Sequence, residues 1–286
     1  MNKLKIAKTI STITNPPIVC IPLFMIICLV LSFENGLFNF NKFIVLELIS
    51  LVFASILPMA IIVYWAKKLN TDGDISNRQD RFVPLVVGII SYFIGFIVSF
   101  VLGVDNFLTA LLLCYSINTG VVLLITFKWK ISIHTTGLSG PVGALILLLG
   151  PIGAVFGIIY PMLIWSRVIL IKHTLAQAIT GGVQGFFLTI FEMYLFMGLL
   201  GYNVVNLTPL IDCVWLVLAI IYLPVVFGLI SYSNISNKKV VLSIFKIAGI
   251  VLFLVFGSLE VFIIYVLIVL TCIFIKMYNG DEKLLN

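Results

Sequence analysis

The sequence predicts an all-α, polytopic membrane helical bundle of about 8–10 transmembrane segments. Three observations carry that expectation. Of the 286 residues, 62% are hydrophobic and only 10% charged, and the mean hydropathy is +1.25, far from the roughly half-apolar composition of a water-soluble domain. Those apolar residues suffice for roughly nine bilayer crossings at about 20 residues each. Runs such as FIVLELISLVFASILPMAIIVYW, from Phe43 to Trp65, are apolar on every face, whereas a membrane-spanning β-strand alternates polar and apolar side chains.

Polar breaks divide the chain into apolar segments near 16–33, 43–65, 85–102, 106–127, 135–149, 152–165, 173–199, 212–232, 240–256 and 259–275. The first follows basic residues, but no small-residue cleavage pattern comes after it, so it reads as a span and not as a signal peptide. Segments 135–149 and 152–165 are each only about 22 Å long at 1.5 Å per residue. Gly150-Pro151 makes a turn between them, which predicts a short helical hairpin. The run from Val240 to Ile275 is too long for one crossing and breaks near Gly257-Ser258. Residues 1–200 make a membrane core, and 201–286 add further transmembrane helices.

If every segment crosses, Lys3, Lys5, Lys8, Lys67, Lys68, Arg78, Arg81, Lys128, Lys130, Arg167, Lys172, Lys238, Lys239, Lys276 and Lys283 share one side. Only Lys42 lies opposite, and Lys246 is intramembrane. Setting aside the eight residues from Lys67 to Lys172, which chemistry would also explain, seven still stand against one. The positive-inside rule then puts the N-terminus and the loops at 66–84, 128–134 and 165–173 in the cytoplasm of a multi-pass cell-membrane protein. The net charge of +6 is scattered between spans and makes no basic stripe for nucleic acid. Cys20, Cys28, Cys114, Cys213 and Cys272 all lie in apolar runs without C-x-x-C spacing, which predicts buried thiols and neither disulfides nor a metal site.

The polar residues that carry chemistry cluster at the charged side. The chain has two histidines, His134 in KWKISIHTTG and His173 in SRVILIKHTLAQ, each at the end of an apolar segment and beside lysine, arginine, serine or threonine. The loop TDGDISNRQDRFVP adds Asp72, Asp74, Arg78, Asp80 and Arg81. Arginine's planar fork matches phosphate oxygens, one imidazole can attack phosphorus, and another can protonate a leaving oxygen. Helix N-termini after His134 and near His173 add N–H groups and partial positive charge. These parts point to a phosphate ester.

The same residues resemble the type 2 phosphatidic acid phosphatases, a family of membrane lipid phosphatases, over about Leu57 to Leu199. The family's third motif reads S-R, five residues, H, three residues, D; Ser166, Arg167, His173 and Gln177 stand at those positions, three of them in agreement. The second, P-S-G-H, is met by Ile131-Ser132-Ile133-His134, which keeps the serine and the histidine. The first, K, six residues, R-P, is met by Lys67 or Lys68 ahead of Arg78 and Arg81, at longer spacing and with Pro84 two residues removed. The short hairpin between His134 and Arg167 returns the chain to the side it left, so all three motifs can meet.

The resemblance implies a core like the family's and hydrolysis of a lipid phosphate or diphosphate, of polyprenyl or phosphatidic acid type, without a cofactor or metal. His173 would become a phosphohistidine and His134 would protonate the departing group. Arg167, Arg78, Arg81 and Lys68 would hold the phosphate, with hydrogen bonds from Ser132 and Ser166. The family's aspartate orients the nucleophilic imidazole; Gln177 would accept the same Nδ1–H bond without supplying a negative charge. The loop around Asn77-Arg78-Gln79-Asp80-Arg81 also resembles the Asp-rich segment of intramembrane prenyltransferases, although no later loop before the tail supplies a second such segment. A non-catalytic lipid-phosphate binding or transport protein is a third reading, to which the intramembrane Glu192 and Glu260 contribute. Gly137, Gly140 and Gly143, like Ser116, Asn118 and Thr119, are expected to serve contacts between helices.

Overall fold

The computed structural model describes residues 3–70, 75 and 77–199. Within them almost every residue is helical. Four helices, Phe40–Lys68, Gln79–Leu102, Asn106–Thr126 and Leu175–Leu199, are long and apolar enough to cross a bilayer, and the bent pair Lys3–Ile13 and Pro16–Leu31 makes a fifth. The chain is a multi-pass membrane protein of helical-bundle class. Each apolar segment expected before residue 200 corresponds to one of these elements or to the shorter helices Ile133–Leu149 and Gly153–Ile169. The spans expected at 212–232, 240–256 and 259–275 lie outside the described residues.

Helices α1 (Lys3–Ile13) and α2 (Pro16–Leu31) meet at a 56° bend. Proline disfavours the helical region for the residue before it, and Asn15 is extended at φ −60, ψ 130. Helix α1 was not anticipated. It exposes Lys5 and Lys8, buries Ala7 and Ser11, and packs against the helix that carries Arg167. After α2 comes an antiparallel hairpin, β1 (Phe33–Glu34) and β2 (Leu37–Phe38), turned by Asn35 and Gly36 at φ 51 and 81. Asparagine-glycine is the pair best suited to two successive left-handed residues.

The long second span runs through α3 (Phe40–Ser50), a π-helical turn (Leu51–Ile56) and α4 (Leu57–Lys68). Pro58 explains the wide turn. It has no N–H for the carbonyl four residues back, and the ladder shifts so that Leu57 N–H reaches Val52 O. Ser91 of the next helix donates to Phe53 O at 2.7 Å, satisfying a carbonyl in the irregular segment. A short turn, Gln79–Arg81, leads into α5 (Phe82–Leu102), which ends at Gly103 with φ 59. Asp105 caps α6 (Asn106–Thr126), accepting from Phe107 N–H at 2.9 Å. Lys42 joins Glu34 at 3.2 Å to Asp105 at 3.1 Å, tying the hairpin to the start of α6.

Helix α7 (Ile133–Leu149) is followed by a 3-10 segment (Gly150–Ile159) that folds back along it into α8 (Tyr160–Ile169). This is the short hairpin that the segment lengths imply. Helix α9 (Leu175–Leu199) makes the most extensive packing with α7. Gly181 and Gly185 allow it: a Cβ at the first would overlap Thr135 Oγ1 and Ser132 O, and at the second Ser139 Oγ and Thr136 O. Small residues four apart let helix backbones approach in lipid, where apolar burial gives little drive for helices to associate. Gly137 against Pro16, Gly140 against Thr189 and Gly143 against Ile190 work the same way.

Candidate functional site

Three loops converge at one end of the bundle, after α4, α6 and α8. Trp65 Nε1–H donates to Asp80 O at 3.0 Å, holding the first loop down. Arg81 is 2% exposed and joins all three: Nε donates to Ile75 O at 3.0 Å, Nη1 to Ile131 O at 3.2 Å, and Nη2 faces His173 Nε2 at 3.5 Å. Ser132 N–H donates to Gln177 O at 3.2 Å, fastening the start of α7 to the first turn of α9.

His173 is presented by a strained turn. At the C-terminus of α8, Lys172 N–H and Ile171 N–H donate to Arg167 O and Val168 O, each at 3.0 Å. This is the paired closure that usually places glycine in the left-handed position; here that residue is Ile171 at φ 54, 91% exposed. A β-branched residue in that region is a true outlier. His173 N–H also donates to Arg167 O at 3.2 Å, so the turn sets the ring's origin.

The ring's tautomer follows from its partners. Nδ1 lies 3.1 Å from Lys130 O, which can only accept, so Nδ1 carries the hydrogen. Arginine can only donate, so the Nε2 lone pair faces Arg81. Burial, then the charges of Arg81 and Arg167, push the imidazole pKa down to about 3. His173 is therefore a neutral, Nε2-basic imidazole at neutral pH.

Around it, Arg167 is fully buried and its Nη1 donates to Ser11 Oγ of α1. On the other side of Arg81, His134, 5% exposed, sits in the first turn of α7 and lines, with Arg81, a cavity of about 110 Å³ whose lining does not include His173 or Arg167. Ser132 caps that helix, its Oγ accepting from Thr135 N–H at 3.5 Å. The remaining expected residues are placed elsewhere. Ser166 donates to Leu163 O at 2.9 Å, within its own helix. Lys68 is exposed with Nζ 4.9 Å from the Trp65 ring centre, a cation–π contact, and Arg78 is half-buried in the first loop outside the cavity lining.

Gln177 requires a correction. Its side chain does not reach His173 Nδ1, which is held by the Lys130 carbonyl. Gln177 Oε1 instead accepts from Thr174 N–H at 3.1 Å while Thr174 Oγ1 accepts from Gln177 N–H at 3.3 Å. This is a reciprocal capping box for α9, and T-x-x-Q before an apolar run is its sequence signature. The pattern was readable in Thr174-Leu175-Ala176-Gln177. Ser11 and the carbonyls of Lys130 and Ile131 carried no such signal, because no side-chain pattern marks them.

A second polar system runs inward from this end. Thr136 Oγ1 lies 3.3 Å from Gln184 Oε1, Gln184 Nε2–H donates to Asn118 Oδ1 at 2.8 Å, and Asn118 Nδ2–H donates to Thr189 Oγ1 and Glu192 Oε2, both at 3.1 Å. Asn118 therefore makes the interhelical contact expected of it, as does Ser116, which donates to Ile89 O of α5 at 3.1 Å, whereas Thr119 donates to Tyr115 O of its own helix at 2.7 Å. Comparison with models of known protein families, with curated proteins and with solved structures finds no match to this chain.

Proposed function

We propose that this membrane protein is a metal-independent lipid phosphatase, hydrolysing a lipid phosphate or diphosphate through a phosphohistidine on His173. One observation carries the reading: a buried imidazole whose Nδ1–H is tied to a carbonyl, so that its Nε2 lone pair faces an arginine beside a cavity that His134 lines. Neutral imidazole is the nucleophilic form, and an arginine fork beside it supplies donors for phosphoryl oxygens.

In this mechanism Nε2 attacks phosphorus and an N–P bond forms as the bond to the lipid oxygen breaks. His134 gives that oxygen a proton. Arg81 and Arg167 offset charge on the equatorial oxygens. His134, now neutral, takes a proton from water as the water attacks phosphorus, and phosphate leaves with the N–P electron pair returning to Nε2. The Lys130 carbonyl takes the orienting role that the family resemblance gives to an aspartate, and it stabilises the imidazole while Nε2 carries phosphate. The three loops lie on the cytoplasmic side in this reading, which rests on the lysine and arginine count.

The test is phosphate release by purified protein from farnesyl diphosphate and phosphatidic acid in EDTA, comparing wild type with His173→Ala. Release that persists in EDTA and disappears in the variant is expected, with an acid-labile phosphoprotein in rapid-quench samples. Release unaffected by losing His173 refutes the mechanism; no release from either lipid moves the binding and prenyltransferase readings forward.

A further inference from the structure

The cavity lined by Arg81 and His134 extends away from the loops into the bundle. On one wall its lining follows a single helical face through Arg81, Pro84, Leu85, Gly88 and Tyr92. The eleven steps from Arg81 to Tyr92, at about 1.5 Å each, make that wall about 16 Å long. Gly137 and Gly140 of α7 and Pro58 and Ile62 of α4 also line it. At the inner end stand Tyr92, Tyr115 and Cys20. The two tyrosine rings meet edge to face at 5.4 Å, Cys20 Sγ lies 3.6 Å from Tyr115 OH, and Phe24 backs Tyr115 at 5.2 Å.

Two properties define what fits. The space is small: about 110 Å³, less than the roughly 150 Å³ of an apolar cavity that holds one benzene, so it takes only the first few carbons of a chain. Its surface is also mostly apolar, and beyond Asn15, Arg81 and His134 its polar lining residues include Tyr92, Tyr115, Asn118, Thr119, Thr136 and Thr189. Thr119 donates to Tyr115 O at 2.7 Å, Thr136 to Gly181 O at 2.9 Å, and Asn118 Nδ2–H to Thr189 and Glu192, both at 3.1 Å, so these donors are already used.

We infer that this cavity is a subsite for the hydrocarbon segment attached directly to the phosphate, admitting one unsubstituted chain such as a prenyl or alkyl group and excluding a diacylglycerol backbone. The inference rests on the phosphatase reading for its choice of head group. A glycerolipid would bring ester carbonyls to walls without an available donor from Asn118, Thr119 or Thr136, and a second chain would have no room. Tyr92 and Tyr115 set how far a single chain enters. Gly88 keeps the middle open: a Cβ there meets Tyr92 Cε2 at 3.6 Å and Thr119 Cγ2 at 3.8 Å, ordinary contacts, whereas a larger side chain projects into the chain's path.

The experiment compares kcat/KM for farnesyl phosphate and dioleoyl phosphatidic acid in mixed micelles, using wild type, Gly88→Leu and the gentler Gly88→Ala. In parallel, the thermal shift given by farnesyl phosphonate is measured for each protein. Wild type is expected to favour the single-chain ester about tenfold or more, and Gly88→Leu to lose both that preference and the thermal shift, with Gly88→Ala between them. If Gly88→Leu does not fold, Gly88→Ala alone must reduce both readouts. Equal use of the two lipids by wild type, or an undiminished shift in the Gly88 variants, overturns the subsite while leaving phosphatase activity standing. No phosphate release together with a Gly88-dependent shift removes the phosphatase reading and keeps the subsite; neither release nor shift removes both.

Discussion

Replacing Arg81 with lysine keeps the charge and removes the fork. The wild-type guanidinium uses three nitrogens in three directions: 3.0 Å to Ile75 O, 3.2 Å to Ile131 O and 3.5 Å to His173 Nε2. One ammonium reaches at most one of the two carbonyls. The loss is one charge-assisted hydrogen bond and one buried acceptor without that donor, together about 2–4 kcal/mol. Equilibrium unfolding in mixed micelles, followed by tryptophan fluorescence, measures it. Arg78→Lys serves as the control, since Arg78 is half-buried outside the cavity lining, and it should change stability by less than about 0.5 kcal/mol. An Arg81→Lys loss as small as the control's would refute the claim that this side chain fastens the three loops together.

Three further outcomes follow from the same end of the bundle. Ile171→Gly should stabilise by about 0.5–1 kcal/mol, because relief of the left-handed backbone exceeds glycine's extra unfolded-state entropy; a destabilised variant in the same unfolding assay would contradict the strain. His173 gives stability a pH dependence whose sign is fixed by its depressed pKa. The unfolded chain takes up this proton below about 6.5 and the folded one only below about 3. Stability is thus full above pH 6.5 and declines toward pH 3, by at most about 1.4 kcal/mol per pH unit, and His173→Asn should flatten that slope. Gln177→Ala should cost about 1 kcal/mol of stability through the lost cap and reduce kcat less than tenfold. A collapse of turnover by orders of magnitude would return Gln177 to the chemistry.

The expectations that held are those resting on local rules. Segment 43–65 lies within the long helix Phe40–Lys68 because hydropathy over 20 residues is a property of the chain itself. The hairpin between His134 and Arg167 was visible as two short apolar runs around Gly150-Pro151. Other local signals were present but went unread: Asn35-Gly36 marks the β-turn and Thr174 to Gln177 the capping box. Pro58 lies inside a segment correctly read as one span, yet whether a helix answers proline by kinking or widening depends on neighbours, here Ser91.

The sequence by itself determined that this is a helical membrane protein, where its apolar helices between residues 16 and 199 lie, and that its two histidines stand at helix ends among basic residues. Hydropathy, proline and helix-terminal preferences act over a few neighbours and are written in residue types. The tertiary structure decided which partner each functional group meets: Arg81 against His173, Arg167 against Ser11, His173 Nδ1 on the Lys130 carbonyl, and Gln177 on a cap. Every residue carries a carbonyl, so which one is placed under an imidazole depends on how three loops pack together, and no pattern of side chains along the chain encodes it.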